Sequence, residues 1–233
     1  MLKFWKKLNE LYGCLVIAVF GFIMLAGVWQ VCDNYYIFYH ALDKSILQYK
    51  PDPADPSAQK DSPITDEMVG WLTIDNTNID YPVMQGSDNS HFLNTDPFGE
   101  YSLTGSIFLD SRNAPEFTDD FSLIYGHHMD YGKMFGALDD FLSKTYLSEH
   151  RTGTLMVGRN AEKVYDLEVF SAARISGREK AVFELKQDEI KGFITDNTDI
   201  SELDKNSRIL GLSTCADAGS ITRIVVFCYI KER

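Results

Sequence analysis

A thiol, a guanidinium and an imidazole are the groups in this 233-residue chain that could work together on an acyl carbon. Arg208-Ile-Leu-Gly-Leu-Ser-Thr-Cys215 and Arg223-Ile-Val-Val-Phe-Cys-Tyr-Ile230 are two apolar, β-branched runs. Between them, residues 216–222 hold the turn formers Asp217, Gly219 and Ser220, so the segment reads as two strands joined by a loop. If the strands pair antiparallel, Cys215 at the end of one and Arg223 at the start of the next share a sheet edge. Cysteine attacks as the thiolate. Attack on an amide builds an oxyanion that a cation or backbone donors must meet. The pair still needs a group that moves protons, and Tyr125-Gly-His-His-Met129 offers His127 or His128. Neighbouring strand residues face opposite sides, so only one of them can address the thiol if the strand runs through both. Pattern alone leaves the choice open.

These residues need a scaffold. Short strands are expected at 69–74 and 79–84, around the turn cluster 75–78, and again at 106–110, 122–125, 154–157 and 164–170. Residues 134–142 and 184–193 read as helical. Many short strands with few helices favour a barrel or sandwich over a βαβ sheet. Asp96-Pro-Phe98 reads as a turn. The folded domain is expected over 65–233. Before it, residues 51–63 hold four prolines in thirteen positions and read as a linker. Residues 33–50 read as a helix leaving a membrane.

The membrane itself is inferred from residues 11–32, a run of mostly apolar residues without a charge, long enough to span a bilayer as a helix. Tyr12 and Trp29 sit near its ends, where amphipathic rings favour the interface. Lys3, Lys6 and Lys7 against Glu10 keep residues 1–10 in the cytoplasm, with the rest of the chain outside. The run is longer than the apolar core of a signal peptide, and no small-x-small cleavage site follows Trp29, so a retained anchor is expected. With 34 acidic against 22 basic residues, the chain is a poor partner for nucleic acid. Its cysteines are Cys14, Cys32, Cys215 and Cys228, too few outside the anchor for a disulfide scaffold. Cys228 lies in an apolar run and reads as an inert core thiol. A His pair at i, i+1, without a Cys or His cluster, is no metal motif, and no metal or organic cofactor is expected.

Leu212-Ser-Thr-Cys215 with Arg223 resembles the Leu-x-Thr-Cys…Arg signature of sortases, the cysteine transpeptidases of Gram-positive surfaces. Val69-Gly-Trp-Leu-Thr-Ile74, Asn78-Ile-Asp-Tyr-Pro-Val83, Gly105-Ser-Ile-Phe-Leu-Asp110 and Tyr125-Gly-His-His-Met129 with Met134-Phe135 are similar to segments of the class B branch, in its order. The resemblance implies a closed eight-stranded β-barrel with N-terminal helices and one helix between late strands, the last matching 184–193. It makes Cys215 the nucleophile and His127 the catalytic histidine. Arg223 would bind substrate and stabilise the oxyanion or thiolate, and Ser213 would tune activity at the substrate site. Asp96-Pro-Phe98 resembles the lid motif of pilus-building sortases but follows the first two strands, where class B enzymes have an ordinary loop.

The implied partners are the sorting-signal peptide of a secreted protein, an amine of a cell-wall precursor or peptidoglycan, and the membrane through the N-terminal helix. The implied reaction is cleavage of the signal through a Cys215 thioester and transfer to that amine. Alternatives are a pilin-polymerising sortase, a plain cysteine hydrolase, and an anchored binding domain without catalysis.

Overall fold

The computed structural model describes residues 1–40, 44–55, 61–200, 202–204, 206–214 and 221–233. The chain divides into two units, Met1–Asp43 and Lys44–Arg233. The first is a single helix, α1 (Leu2–His40). Its apolar side chains, among them Phe20, Ile23 and Trp29, are exposed all round rather than on one stripe. A helix apolar on every side belongs in a protein core or a membrane, and Leu2–Asp33 is long and apolar enough to cross one. The helical reading of 33–50 is met in part: α1 runs to His40, residues 41–43 lie outside the described residues, and Lys44–Tyr49 is a 3₁₀ helix.

In the second unit the strands are β1 (Met68–Ile74), β2 (Asp80–Met84), β3 (Ile107–Leu109), β4 (Phe121–Gly126), β5 (His128–Met129), β6 (Lys133–Met134), β7 (Thr152–Val157), β8 (Lys163–Ser176), β9 (Arg208–Thr214) and β10 (Thr222–Glu232). Eight close into a barrel in the order β1-β2-β3-β4-β9-β10-β8-β7, while β5 and β6 pair on their own. The β2–β3 and β4–β9 pairs are parallel and the other barrel pairs antiparallel. This alternation brings one set of termini to a single rim. The ends of β1, β4, β8 and β9 gather there with the starts of β2, β3, β7 and β10.

Period-two burial sorts the side chains. Leu72, Ile124, Leu210, Leu212, Val226 and Cys228 fill the barrel, and the 3₁₀ helix Phe135–Leu142 adds Phe135, Leu138 and Phe141 to the same core. Phe121, Leu123, Ile209, Val225 and Phe227 alternate onto the outer face. After α2 (Lys144–Glu149), the helices α3 (Lys180–Phe183) and α4 (Ile190–Asn197) cover them with Val182, Ile190 and Ile194. A third cluster joins Ile46, Leu47 and Tyr49 to Trp71, Met84 and Phe108. Asp80 ties this segment down by accepting from Lys50 Nζ at 2.8 Å, Trp71 Nε1 at 2.7 Å and Thr73 Oγ1 at 2.9 Å.

The helical segment between the late strands is split in two. Leu185 takes a left-handed backbone, φ 53°, just past α3. Lys186 N then returns to Ala181 O at 3.2 Å, closing α3 before α4 starts. Of residues 134–142, Phe135–Leu142 wind as a 3₁₀ rather than an α-helix, following Met134 at φ 49° in β6. Asp96-Pro-Phe98 is the expected turn: the Asp96 carboxylate accepts from Phe98 N and Glu100 N, each at 2.9 Å.

Candidate active site

Three strand termini meet at one rim. β4 stops at Gly126, paired with Thr214, the last residue of its parallel neighbour β9. β10, antiparallel to β9, starts beside them at Thr222. His127 is therefore the first residue beyond β4, and Arg223 the second residue of β10. The structure brings His127, Ser213 and Arg223 to this rim. Cys215 follows Thr214 in sequence and lies outside the described residues.

Gly126 lets the chain leave the barrel at this point. A Cβ there would stand 2.8 Å from the Phe135 ring, while Phe135 N donates to His127 O at 3.0 Å. The ladder thus breaks at His127, and strand parity no longer separates the two histidines. Their partners do. His127 Nε2 lies 2.7 Å from Leu93 O. A carbonyl only accepts, so Nε2 carries the hydrogen, and Nδ1 is the nitrogen of the neutral ring that can take a proton. His128 Nε2 donates instead to Asp139 Oδ2 at 3.0 Å.

Arg223 is held in a slot. Its guanidinium stacks over Phe183, 5.3 Å from the ring centroid, within cation–π range. Gly177 forms another side, where a Cβ would meet Arg223 Nε at 2.8 Å. Nη1 donates to Thr214 O at 3.3 Å, and the Ser213 hydroxyl donates to the same carbonyl at 3.1 Å. Thr214 Oγ1 accepts from Ile224 N at 3.1 Å. The Thr214 carbonyl is thereby held by two of the residues singled out from sequence. Nε of Arg223 is buried and has no hydrogen-bond partner among the described residues.

A polar network behind this wall escaped the sequence reading. Asp110, fully buried beyond β3, accepts from Arg112 Nε at 2.8 Å and Nη2 at 2.6 Å, from Asn89 Nδ2 at 2.9 Å and from the Tyr125 hydroxyl at 3.1 Å. Arg112 Nη2 also donates to Phe183 O at 2.8 Å, so it holds the residue that Arg223 stacks on. Burial pushes the Asp110 carboxyl up, but the Arg112 hydrogen bonds and charge, with Asn89, hold it below the usual carboxylate range. Burial and then the Asp110 charge push the Tyr125 phenol up, so it stays a protonated donor. An acid and an arginine two residues apart at a strand end were visible in Leu109-Asp-Ser-Arg112, but nothing local points to Phe183.

Cys228 is a free, fully buried thiol. Burial alone pushes its pKa up, which keeps it protonated and poorly nucleophilic.

Residues 72–231 match the family model of the sortase domain. The chain belongs to the sortase family, in its class B branch. It is 35% identical to Sortase B of Staphylococcus aureus over 72% of this chain and 71% of that protein. Against Sortase B of Listeria monocytogenes it is 32% identical, over 90% and 92% of the two chains. Among solved structures, a Streptococcus pyogenes class B sortase involved in pilus biogenesis superposes with a TM-score of 0.64 at 32% identity, covering 71% of this chain and 92% of that one. The closed eight-stranded barrel is thus the sortase barrel that the sequence led us to expect. Sortases are cysteine transpeptidases of the cell surface, and α1 is a candidate membrane anchor of the kind such an enzyme would use.

Proposed function

We propose that this sortase is a membrane-anchored transpeptidase. Residues 1–10 are cytoplasmic, 11–32 span the membrane, 33–64 connect, and 65–233 form the extracytoplasmic catalytic barrel. Cys215 attacks the peptide carbonyl of a sorting signal near the C-terminus of a secreted protein. A C–S bond forms, the C–N bond breaks, and His127 gives the leaving amine its proton. An amine of a cell-wall precursor then attacks the thioester. His127 takes its proton, a C–N bond forms and the thiolate leaves. Arg223 binds the substrate and meets the developing oxyanion or the thiolate, and Ser213 shapes the substrate site behind the nucleophile.

The observation that supports this reading most is the hold of Arg223 on the Thr214 carbonyl, at the rim where β4 ends into His127. Cys215 follows Thr214 in sequence, so the proposed nucleophile is one peptide bond from a carbonyl that a fixed cation holds. The test is to incubate the enzyme with a library of short signal peptides, trap the thioester, map it by mass spectrometry, and identify the product formed when wall-peptide amine is added. A thioester on Cys215 that resolves to the amide is expected; no adduct, or one elsewhere, overturns the assignment.

A second reading, polymerisation of pilins on a lysine acceptor, draws on the likeness to the pilus-associated Streptococcus pyogenes enzyme. Offering a pilin lysine and a wall peptide in competition separates the two.

A further inference from the structure

One nitrogen of His127 is committed to the backbone of a distant loop. Nε2 lies 2.7 Å from Leu93 O, in the β2–β3 connection. That connection makes a 3₁₀ turn, His91–Leu93, which the Asp88 carboxylate starts by accepting from Ser90 N at 2.7 Å and His91 N at 3.0 Å. Phe92, 1% exposed, sinks its ring into the cluster with Trp71 and Met84. The returning segment then takes up the neighbouring carbonyls. Ser106 N donates to Phe92 O at 2.9 Å, Ser102 N to Asn94 O at 3.0 Å, and Ser106 Oγ to Thr95 O at 2.7 Å. Leu93 O goes instead to His127.

Gly105 makes this arrangement possible. A Cβ there would stand 2.4 Å from Phe92 O, 2.5 Å from Leu93 O and 2.8 Å from Leu93 C. These are backbone atoms in a strip held by the bonds above, and they cannot swing aside as the tip of a flexible side chain can. The φ of Gly105, 55°, is also left-handed, where other residues are strained. Gly99 in the same loop supplies the comparison. Its φ is 84°, yet a Cβ there would meet Thr65 Cγ2 at 3.2 Å, away from Leu93.

The contact has a use in a reaction that moves a proton on and off one ring. A carbonyl accepts and never donates, so it keeps a hydrogen on Nε2 whether or not Nδ1 is protonated. The ring need not turn or change tautomer between giving a proton to the leaving amine and taking one from the incoming amine. An acid side chain does this work for the histidine of a Ser-His-Asp triad. We infer that Gly105 is a positioning residue for His127: its missing side chain lets the Leu93 carbonyl stand where it holds Nε2. The inference rests on the transpeptidase reading proposed above.

The full chain, labelled with ¹⁵N-histidine, reports the ring directly. The His127 signals are those lost in His127→Ala, and the neutral ring should carry its hydrogen on Nε2. Gly105→Ala should bring in the Nδ1–H tautomer. It should also slow thioester formation at saturating signal peptide by about 10- to 100-fold, the scale of a small misplacement of a reacting group. Gly99→Ala shares the backbone penalty, so it should lower Tm yet leave the ring spectrum and the rate unchanged. If Gly105→Ala does not fold, replacing Asn94 with its α-hydroxy acid decides instead. The 93–94 peptide becomes an ester, the Leu93 carbonyl accepts more weakly with every side chain intact, and the rate should fall about 2- to 10-fold. An Nδ1–H ring in the unsubstituted enzyme overturns the inference. So does an unchanged ring and rate in the Gly105→Ala or ester enzyme, or a Gly99→Ala enzyme slowed as much as Gly105→Ala. An Nε2–H ring in an enzyme that forms no thioester overturns the transpeptidase reading, and with it the purpose assigned to Gly105, while the contact itself stands.

Discussion

Replacing Asp110 with asparagine tests whether the hidden network matters. The carboxylate accepts five hydrogen bonds, from Arg112 N, Nε and Nη2, from Asn89 and from Tyr125. An amide keeps one acceptor oxygen and turns an NH₂ toward at least two of those donors. Each lost bond costs about 1 kcal/mol net, and more where a charged partner is left behind. The Arg112 side chain is 48% exposed, so water re-solvates it and its Coulombic share is discounted. The sum is about 2–4 kcal/mol. For a domain of this size that lowers Tm by roughly 5–15 °C, and urea unfolding should shift its midpoint without changing its slope. The carboxyl is held below its ordinary value when folded. Its contribution is therefore full above the unfolded pKa of about 3.9 and is lost as pH falls through the lower folded value. The stability gap between wild type and variant should close in that acid window. Turnover should fall severalfold as well, since Arg112 no longer secures Phe183 beneath Arg223. A stability change under about 0.5 kcal/mol, or a gap that persists in acid, would show that the network is not coupled as the distances indicate.

Four other outcomes are expected. His127→Ala should lower kcat/KM for a signal peptide by about 10²–10⁴-fold and His128→Ala far less; equal losses would remove His127 from its role. Arg223→Lys should be severely impaired, because an ammonium cannot both lie flat over Phe183 and reach Thr214 O; near-normal turnover would show that charge alone suffices. Cys215→Ala should form no thioester while staying folded, and a thiol reagent should label native protein at Cys215 and leave buried Cys228 untouched; an adduct on Cys228 counts against the nucleophile. Removing residues 1–33 should give a soluble, active enzyme, and external protease should digest the domain in intact wall-stripped cells; protection until the membrane is lysed would reverse the topology.

Much of the barrel was legible because each strand carries its own signal. Val69-Gly-Trp-Leu-Thr-Ile74 and the paired runs ending at Cys215 and starting at Arg223 alternate or cluster as strands do, and the structure has β1, β9 and β10 there. The strands on either side of residues 215–221 do pair antiparallel, as β9 and β10. Helix type was less legible. Residues 134–142 have helical spacing, yet positive φ at Met134 and the need to send Phe135, Leu138 and Phe141 into the barrel leave a tight 3₁₀ turn. The break at Leu185 is likewise set by packing, because Val182 and Ile190 must both reach the outer face of the sheet.

The candidate site residues could be named before the structure was known, but what holds the described ones could not. Pattern finds Arg223 at a strand start and offers His127 or His128 without choosing between them, while the choice of His127, and Ser213 altogether, comes from the family resemblance. What holds them is long-range and invisible in any window of sequence. β4 lies parallel to β9, so two distant segments end side by side, and no hairpin announces that. Leu93 orients His127 from a segment that has no strand pattern. Phe183 lies under Arg223 only because α3 folds back over the sheet, and Arg112 then fixes that helix by a bond across 71 residues. With one long backbone bond and a buried Nε that has no hydrogen-bond partner among the described residues, the guanidinium would be loose on its own. Its direction is set by a ring below, a glycine beside it and the carbonyl of Thr214 ahead. The candidate residues are thus named by short segments of sequence, while the arrangement of the rim depends on residues far from them in the chain.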